Sequence, residues 1–196
     1  MTSFKYKTLV NCENGIWNTN SDEEHIQDRK LTKGIIDFFK DNKAKSVVDL
    51  GCGAGYYVKS FREQIPGIVI DGYDGNPNTP TMTNNMCGIK DLSIPFTFEN
   101  KYEWVMSLEV GEHLPKKYEQ IFIDNLCNNC SQGIILSWAV KGQGGSGHFN
   151  EQDNQYVKNQ IEKRGFYNDI EAESILRSDC SLRWFRNTTM IFIKEN

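Results

Sequence analysis

The sequence predicts an α/β fold, a doubly wound and mostly parallel sheet with helices on both faces. Short apolar runs of strand length alternate along the chain with segments of helical periodicity, which is the pattern of successive strand–helix–strand units. The clearest unit is 46–57, where an apolar run ends in closely spaced glycines and a helical pattern follows. The 196 residues are enough for one domain with a buried core.

The N-terminal part of the chain, residues 1–44, is predicted to contain one amphipathic helix. Ser21 is a good capping residue, and the three acids that follow it suit the positive end of a helix dipole. Apolar residues then recur at helical spacing as far as Phe39. Residues 45–196 hold the alternating strands and helices, so we expect 1–44 to be an extension of a single domain.

The remaining elements follow from the same patterns. The run at 102–108 is nearly continuous in apolar character, which is typical of a central parallel strand buried on both faces. Pro115 is a natural first residue for the helix after it. Further strands are predicted at 68–73, 87–91, 133–138, 166–172 and 188–194, with helices at 56–64, 116–129 and 156–163.

The glycine turn of 46–57 is predicted to form a nucleotide cradle. Gly51, Gly53 and Gly55 are spaced by two, and Asp49 precedes the first of them. Such a turn needs positive φ and close backbone approach, and the helix behind it offers free N–H groups. A dinucleotide fingerprint, G-x-G-x-x-G, would need glycine where this chain has Tyr56. The spacing therefore disfavours a nicotinamide-dependent dehydrogenase.

The turn resembles motif I, (D/E)-x-G-x-G-x-G, of class I S-adenosylmethionine-dependent methyltransferases. The resemblance extends over 45–195, since an acid after the second strand, Asp-Leu after the third and Ser-Leu-Glu-Val-Gly-Glu-His-Leu-Pro after the fourth stand in the family's order. It implies a seven-stranded sheet whose last strand is antiparallel, and S-adenosylmethionine as the cofactor. The cofactor-binding residues it implies are Asp49, Gly51, Gly53, Gly55, Asp74, Asp91 and Leu92.

Two acids compete for the ribose hydroxyls of such a cofactor. An acid about 20 residues beyond the glycines is the expected ligand of a ribose diol. Asp71 lies within the apolar run of the second strand, whereas Asp74 opens a turn at its end, and we therefore assign Asp74 to the ribose hydroxyls.

The resemblance also bears on the N-terminal segment. In small methyltransferases an N-terminal helix lies across the substrate side, which would make Trp17 and His25 face the active site. The alternative is a capping segment with a surface histidine.

A second constellation follows the fourth strand and is a candidate for the chemistry. Glu109, Glu112 and His113 form E-x-x-E-H, and His148 stands in the glycine-rich loop after the fifth strand. The set is similar to the metal-binding pattern of ubiquinone-biosynthesis O-methyltransferases and small-RNA 3′-end 2′-O-methyltransferases. It implies a divalent site for Mg²⁺, Mn²⁺, Fe²⁺ or Zn²⁺ made by these four residues. The alternatives are His148 and His113 as catalytic or substrate-contacting groups without a metal, and a structural role. The loop itself is interpreted as a mobile lid or as a flexible connection.

Composition limits the partners. A net charge of −4 and a pI near 5.5 do not indicate binding of bulk nucleic acid. No apolar run reaches the length of a membrane span, no signal peptide is recognisable and six scattered cysteines suit a reducing compartment, so a cytoplasmic location is expected.

We expect O-methylation of a small, polar, hydroxyl-bearing substrate. The alternatives are a non-catalytic binding or partner protein with this fold and a metal-dependent RNA 2′-O-methyltransferase.

Overall fold

The computed structural model describes residues 10–23 and 25–195. Its strands are β1 (Ser46–Leu50), β2 (Val69–Asp74), β3 (Gly88–Ile89), β4 (Tyr102–Leu108), β5 (Cys130–Ser137), β6 (Phe166–Asn168) and β7 (Met190–Lys194). Its α-helices are α1 (Arg29–Asp41), α2 (Tyr56–Gln64), α3 (Thr79–Met82), α4 (Glu119–Asn128), α5 (Asn154–Glu162), α6 (Ile170–Asp179) and α7 (Arg183–Thr188). Two 3₁₀ turns, Gly111–His113 and Lys116–Tyr118, follow β4.

The strands form one seven-stranded sheet in the order β3-β2-β1-β4-β5-β7-β6. Strand β1 pairs in parallel with β2 and β4, and β4 pairs in parallel with β5. Strand β7 runs antiparallel to both of its neighbours. The doubly wound, mostly parallel sheet with an antiparallel last strand is therefore confirmed. The strand order reverses between β1 and β4, and ligands of such sheets bind beyond the strand ends at this point.

Two apolar layers cover the two faces of the sheet. Strand β1 contributes to both, since Val47 packs into the layer that contains α1, α2 and α6, whereas Val48 and Leu50 pack into the layer with α4 and α5. A strand buried on both faces reads as a continuous apolar run, which explains the sequence of β1. Asp49 is the polar exception within it, and it is only 2% exposed.

The first helix begins later than the sequence indicates. Asp28 caps α1, because its Oδ1 accepts hydrogen bonds from the backbone N–H of Lys30 at 2.9 Å and of Leu31 at 3.0 Å. Ser21 does not start a helix, and that prediction is wrong. Residues 10–23 and 25–28 instead form an irregular segment, called the strap below. Helix α1 itself packs into the core layer beside α2 and α6.

Three of the predicted strands are shorter than expected. Strand β7 begins at Met190 instead of 188, because Thr188 is the last residue of α7. Strand β3 keeps only two residues of 87–91, and β6 keeps three residues of 166–172. Asp169 ends β6 because its side chain accepts from the N–H of Ala172 at 3.0 Å and caps α6. Within the described part of the chain, no helix has the length and apolar character of a membrane span.

Candidate functional site

One cavity of about 660 Å³ opens at the carboxyl ends of β1, β2 and β4. It lies at the reversal of strand order and takes residues from the glycine turn, the loop after β4, the loop after β5 and the strap. Gly55 and Glu112 of the sequence-predicted set do not line it. The predicted residues that do are Asp49, Gly51, Gly53, Asp74, Asp91, Leu92, Glu109, His113 and His148.

The glycine turn is held in a form that only glycine accommodates. Gly51, Gly53 and Gly55 have φ of +89°, +53° and +72°. A Cβ on Gly51 would come within 2.3 Å of the Val110 side chain, and a Cβ on Gly53 within 2.5 Å of the His25 ring. Both the backbone conformation and the close neighbours therefore require glycine, as the G-x-G-x-G pattern predicts.

The carboxylate of Asp74 ties the glycine turn to the end of β2. Its Oδ2 accepts from the N–H of Gly53 at 2.9 Å and its Oδ1 from the N–H of Asn76 at 2.8 Å. Asp71 is directed elsewhere, since its Oδ2 accepts from the Tyr102 hydroxyl at 2.6 Å. The acid that faces the cavity is thus Asp74. It retains free lone pairs on both oxygens for a ligand.

Two other acids line the same part of the cavity. Burial, and secondarily the neighbouring Cys87 and Asp74, raise the pKa of Asp49 well above its ordinary value. Asp91 is fixed by a turn of its own, because its Oδ1 accepts from both the N–H and the hydroxyl of Ser93, at 2.8 and 2.6 Å. Asp91 therefore lies at the cavity with a defined orientation, and Leu92 lines the cavity beside it.

Three of the four predicted metal ligands come together in the loops that follow β4 and β5. One ligand atom from each of Glu112, His113 and His148 lies within 4.8 Å of the other two. Glu109 does not belong to this group. Its backbone is left-handed with φ of +53°, and its carboxylate accepts from Gln143 Nε2 at 2.6 Å and from the Thr188 hydroxyl at 3.0 Å.

Each histidine of the group is oriented through Nδ1. His113 Nδ1 lies 3.1 Å from the carbonyl oxygen of Gly147, which can only accept, so this nitrogen is the donor. His148 Nδ1 lies 3.1 Å from the Glu151 carboxylate in the same way. The two rings are 4.9 Å apart and nearly perpendicular. Burial, and secondarily His148, lower the pKa of His113 to about 4, so its imidazole is neutral and Nε2 carries a lone pair.

Glu112 is the buried member of the group. It is 0% exposed, and neither carboxyl oxygen has a hydrogen-bond partner among the described residues. Burial, and secondarily the Glu109 carboxylate, raise its pKa well above the ordinary value.

These properties fit a divalent metal. Within the residues that the structure describes, the set offers one carboxylate without another partner and two imidazoles with a free Nε2. Nδ1 of each imidazole already donates to a carbonyl or a carboxylate, and metal-bound histidines are usually supported by such a hydrogen bond. One oxygen and two nitrogen ligands suit Mn²⁺, Fe²⁺ or Zn²⁺, and Mg²⁺ less well because it prefers oxygen.

The strap forms part of the cavity wall. The Trp17 ring lies 5.2 Å from the His113 ring and 6.2 Å from the His25 ring. Gly15 packs on the backbone of His113, where a Cβ would meet the carbonyl oxygen at 2.3 Å. Trp17 and His25 both line the cavity, so the alternative of a surface histidine is wrong.

Some contributors to the site were not found from the sequence. Glu151 holds His148 and also accepts from the N–H groups of Gly142 and Gly144 at 2.7 Å, which anchors the glycine-rich loop. The spacing His-x-x-Glu was a signal that could have identified it. Helix α7 contributes Thr188 and two aromatic residues to the site. No local sequence pattern predicts that these residues lie there.

Comparisons with known proteins agree with the fold. The family model described as a methyltransferase domain matches residues 23–169. The chloroplastic tocopherol O-methyltransferase of Arabidopsis thaliana is 28% identical over 131 residues, which are 58% of this chain and 36% of the relative. The chain spans about a third of the length of the curated relatives it matches.

Solved structures share the fold at low identity. Magnesium protoporphyrin IX methyltransferase from Synechocystis PCC 6803 with bound SAH aligns with a TM-score of 0.64 at 16% identity, over 84% of this chain and 82% of that one. The sugar N-methyltransferase KedS8 from Streptoalloteichus sp ATCC 53650 aligns with a TM-score of 0.66 at 9% identity, over 86% and 88%.

The sheet order and the glycine turn at its switch point define the class I S-adenosylmethionine-dependent methyltransferases. The chain belongs to the methyltransferase-domain family, whose model covers most of its length.

Proposed function

We propose that this chain transfers the methyl group of S-adenosylmethionine to a hydroxyl oxygen of a small, polar acceptor at a divalent metal site. The observation that carries the proposal is the convergence of Glu112, His113 and His148 beside the cavity that the glycine turn also lines. A cofactor cradle and a metal-binding group at one cavity are what metal-assisted methyl transfer to a hydroxyl requires.

The cofactor half of the site is assigned to the residues around the glycine turn. The Asp74 carboxylate would accept hydrogen bonds from the ribose hydroxyls while it holds the turn through Gly53. Gly51 and Gly53 would let the cofactor approach the backbone closely, whereas Gly55 shapes the turn without lining the cavity. Asp49 would face the amino-acid part. Asp91 and Leu92 would border the adenine.

The chemistry is divided between the bound groups and the chain. When bound, S-adenosylmethionine would supply an electrophilic methyl and leave as S-adenosylhomocysteine, and a divalent ion held by Glu112, His113 and His148 would act as a Lewis acid that lowers the pKa of the acceptor hydroxyl, so that its proton is released to solvent. Glu151 keeps His148 oriented, with its Nε2 lone pair available to the ion or, in a metal-free alternative, to the acceptor proton. The Glu109 carboxylate, braced by Gln143, faces the cavity and would position a polar acceptor.

The size of the acceptor follows from the strap. We propose that the strap is a cap that belongs to the same single domain. The Trp17 ring of the strap lies close to the His113 ring, which limits the room for an acceptor. This favours a small molecule over RNA, as does the net charge of −4. Transfer to oxygen is supported by the tocopherol relatives, which are O-methyltransferases by name. Those relatives are also chloroplastic by name, so the cytoplasmic location expected here stays a prediction.

The test is a pair of calorimetric titrations on the wild type and on His148→Ala. S-adenosylhomocysteine should bind both proteins with micromolar Kd, with or without a chelator. Mn²⁺ should bind the wild type at one equivalent and the variant far more weakly, because one of three ligands is lost. Turnover on hydroxylated small molecules should disappear in the variant.

Each failure has a distinct meaning. Absence of S-adenosylhomocysteine binding would refute the cofactor assignment. Mn²⁺ binding that survives His148→Ala would refute the metal site, and undiminished turnover would refute the role of His148. Cofactor binding without turnover on any acceptor would support the non-catalytic partner protein instead.

A further inference from the structure

We propose that His25 of the strap is a cofactor-binding residue whose imidazole hydrogen-bonds S-adenosylmethionine at the glycine turn. The inference rests on the proposed function, since it concerns the same cofactor. The cofactor-binding residues that the sequence motifs imply all lie within 45–196. His25 would be a cofactor-binding residue outside that range.

The first argument is the position of the ring. A Cβ on Gly53 would meet His25 Nδ1 at 2.5 Å and Cε1 at 2.8 Å, so the imidazole rests directly on the middle glycine of the turn. The N–H of the same glycine donates to Asp74. His25 and Asp74 therefore flank one point of the turn, and both line the cavity.

The second argument is the polar chemistry of the ring. His25 Nε2 is buried and has no hydrogen-bond partner among the described residues. Buried polar atoms without a partner are rare and cost free energy, so each calls for an explanation such as a ligand. Reorientation of the imidazole onto a bound cofactor would remove this cost, and the polar atoms of ribose and of the amino-acid group offer suitable partners.

The third argument is that the strap is clamped around His25 to the helix behind the turn. The Tyr56 hydroxyl donates to the Asp22 carboxylate at 2.7 Å, on the N-terminal side of His25. On the other side, Gln27 Nε2 donates to the Tyr56 carbonyl at 3.3 Å and to the Ser60 hydroxyl at 3.0 Å. Helix α2 carries both anchors, so the ring and the glycine turn are positioned by one element.

The test measures binding of S-adenosylhomocysteine by calorimetry in four variants. His25→Ala removes the ring, His25→Leu keeps much of its volume without polar atoms, and His25→Asn and His25→Gln restore a polar group at the reach of Nδ1 or Nε2. Glu23→Ala, at an exposed strap position, is the matched control. Loss of one hydrogen bond corresponds to roughly tenfold weaker binding.

The proposal expects His25→Ala and His25→Leu to bind about tenfold more weakly, at least one amide variant to recover most of the affinity, and Glu23→Ala to match the wild type. The melting temperatures of the ligand-free variants should stay close to that of the wild type. Wild-type affinity in His25→Leu would reduce the role of the ring to packing and overturn the proposal. Equal or tighter binding in His25→Ala would also overturn it. Absence of binding by the wild type would refute the proposed function itself and is distinguishable from these results.

Discussion

Replacing Glu112 with methionine should raise the free energy of unfolding of the metal-free protein and weaken metal binding. The side chain is 0% exposed and both of its carboxyl oxygens lack hydrogen-bond partners among the described residues. An unsatisfied buried polar group costs about 1–3 kcal/mol, and an apolar side chain of similar size avoids that cost. The backbone carbonyl of Glu112, which accepts from Phe149 and Asn150, is unchanged by the substitution.

The expected result for Glu112→Met without metal is a free energy of unfolding about 1–3 kcal/mol higher than that of the wild type. For a chain of this length each 1 kcal/mol corresponds to about 2–4 °C in Tm. Mn²⁺ affinity should fall by at least about 100-fold, because removal of a ligand is more severe than removal of a second-shell partner. The assays are urea unfolding in the presence of a chelator and calorimetric metal titration.

Glu109→Gln is the matched control for this experiment. Glu109 lies three residues before Glu112 and lines the cavity, but it is outside the ligand group. Its variant should keep a metal affinity near that of the wild type. A chelator-treated Glu112→Met that unfolds more easily than the wild type would mean that the carboxyl has a stabilising partner. Unchanged metal affinity in Glu112→Met, or a collapse in Glu109→Gln, would refute the assignment of ligands.

Two further substitutions test the cofactor half and the start of α1. Asp74→Ala should weaken S-adenosylhomocysteine binding more than tenfold by calorimetry, since ribose contacts and the anchor of Gly53 are lost together; unchanged affinity would remove the ribose assignment. Asp28→Ala should lower the free energy of unfolding by about 2 kcal/mol, because the helix cap is lost and the N–H of Leu182 is left without its acceptor. Burial tends to raise the pKa of Asp28, but hydrogen bonds from backbone N–H groups outweigh it and lower the pKa below 3.8. The stability that Asp28 contributes is therefore full above the unfolded-state pKa and is lost as pH falls through the folded-state pKa. Urea unfolding between pH 6 and pH 2 should show a shallower acid loss in Asp28→Ala, and an identical slope would contradict this.

The start of α1 shows why local patterns misplace an element. Ser21 followed by acids satisfies the capping rules as well as Asp28 does. The choice is made by tertiary structure, because Asp28 Oδ2 also accepts from the N–H of Leu182 at 2.7 Å, across a sequence separation of 154 residues. A window of neighbouring residues contains no information about that contact.

The location of the candidate cofactor residues was predictable because each of them lies at the end of a strand. Parallel strands bring their carboxyl ends to one edge, so Asp49, the glycines and Asp74 could be placed together from the strand assignments alone. The choice of Asp74 over Asp71 followed from the same reasoning, and the structure places Asp74 at the cavity.

The grouping of the candidate metal ligands was predictable only in part. The E-x-x-E-H spacing does not say which glutamate points at the histidines, because that depends on the left-handed backbone of Glu109 and on the 3₁₀ turn Gly111–His113. The two side chains that donate to the Glu109 carboxylate, those of Gln143 and Thr188, are both distant in sequence, and Thr188 belongs to α7.

The chain contains three histidines, and all three line the same cavity. Any method that detects imidazole selectively therefore reports on this site without background from the rest of the molecule. Nuclear magnetic resonance of selectively labelled histidine would yield three signals, two from the candidate metal ligands His113 and His148 and one from His25 of the strap. Cofactor and metal could then be added separately. The signals that each of them shifts would show which of the three histidines it contacts.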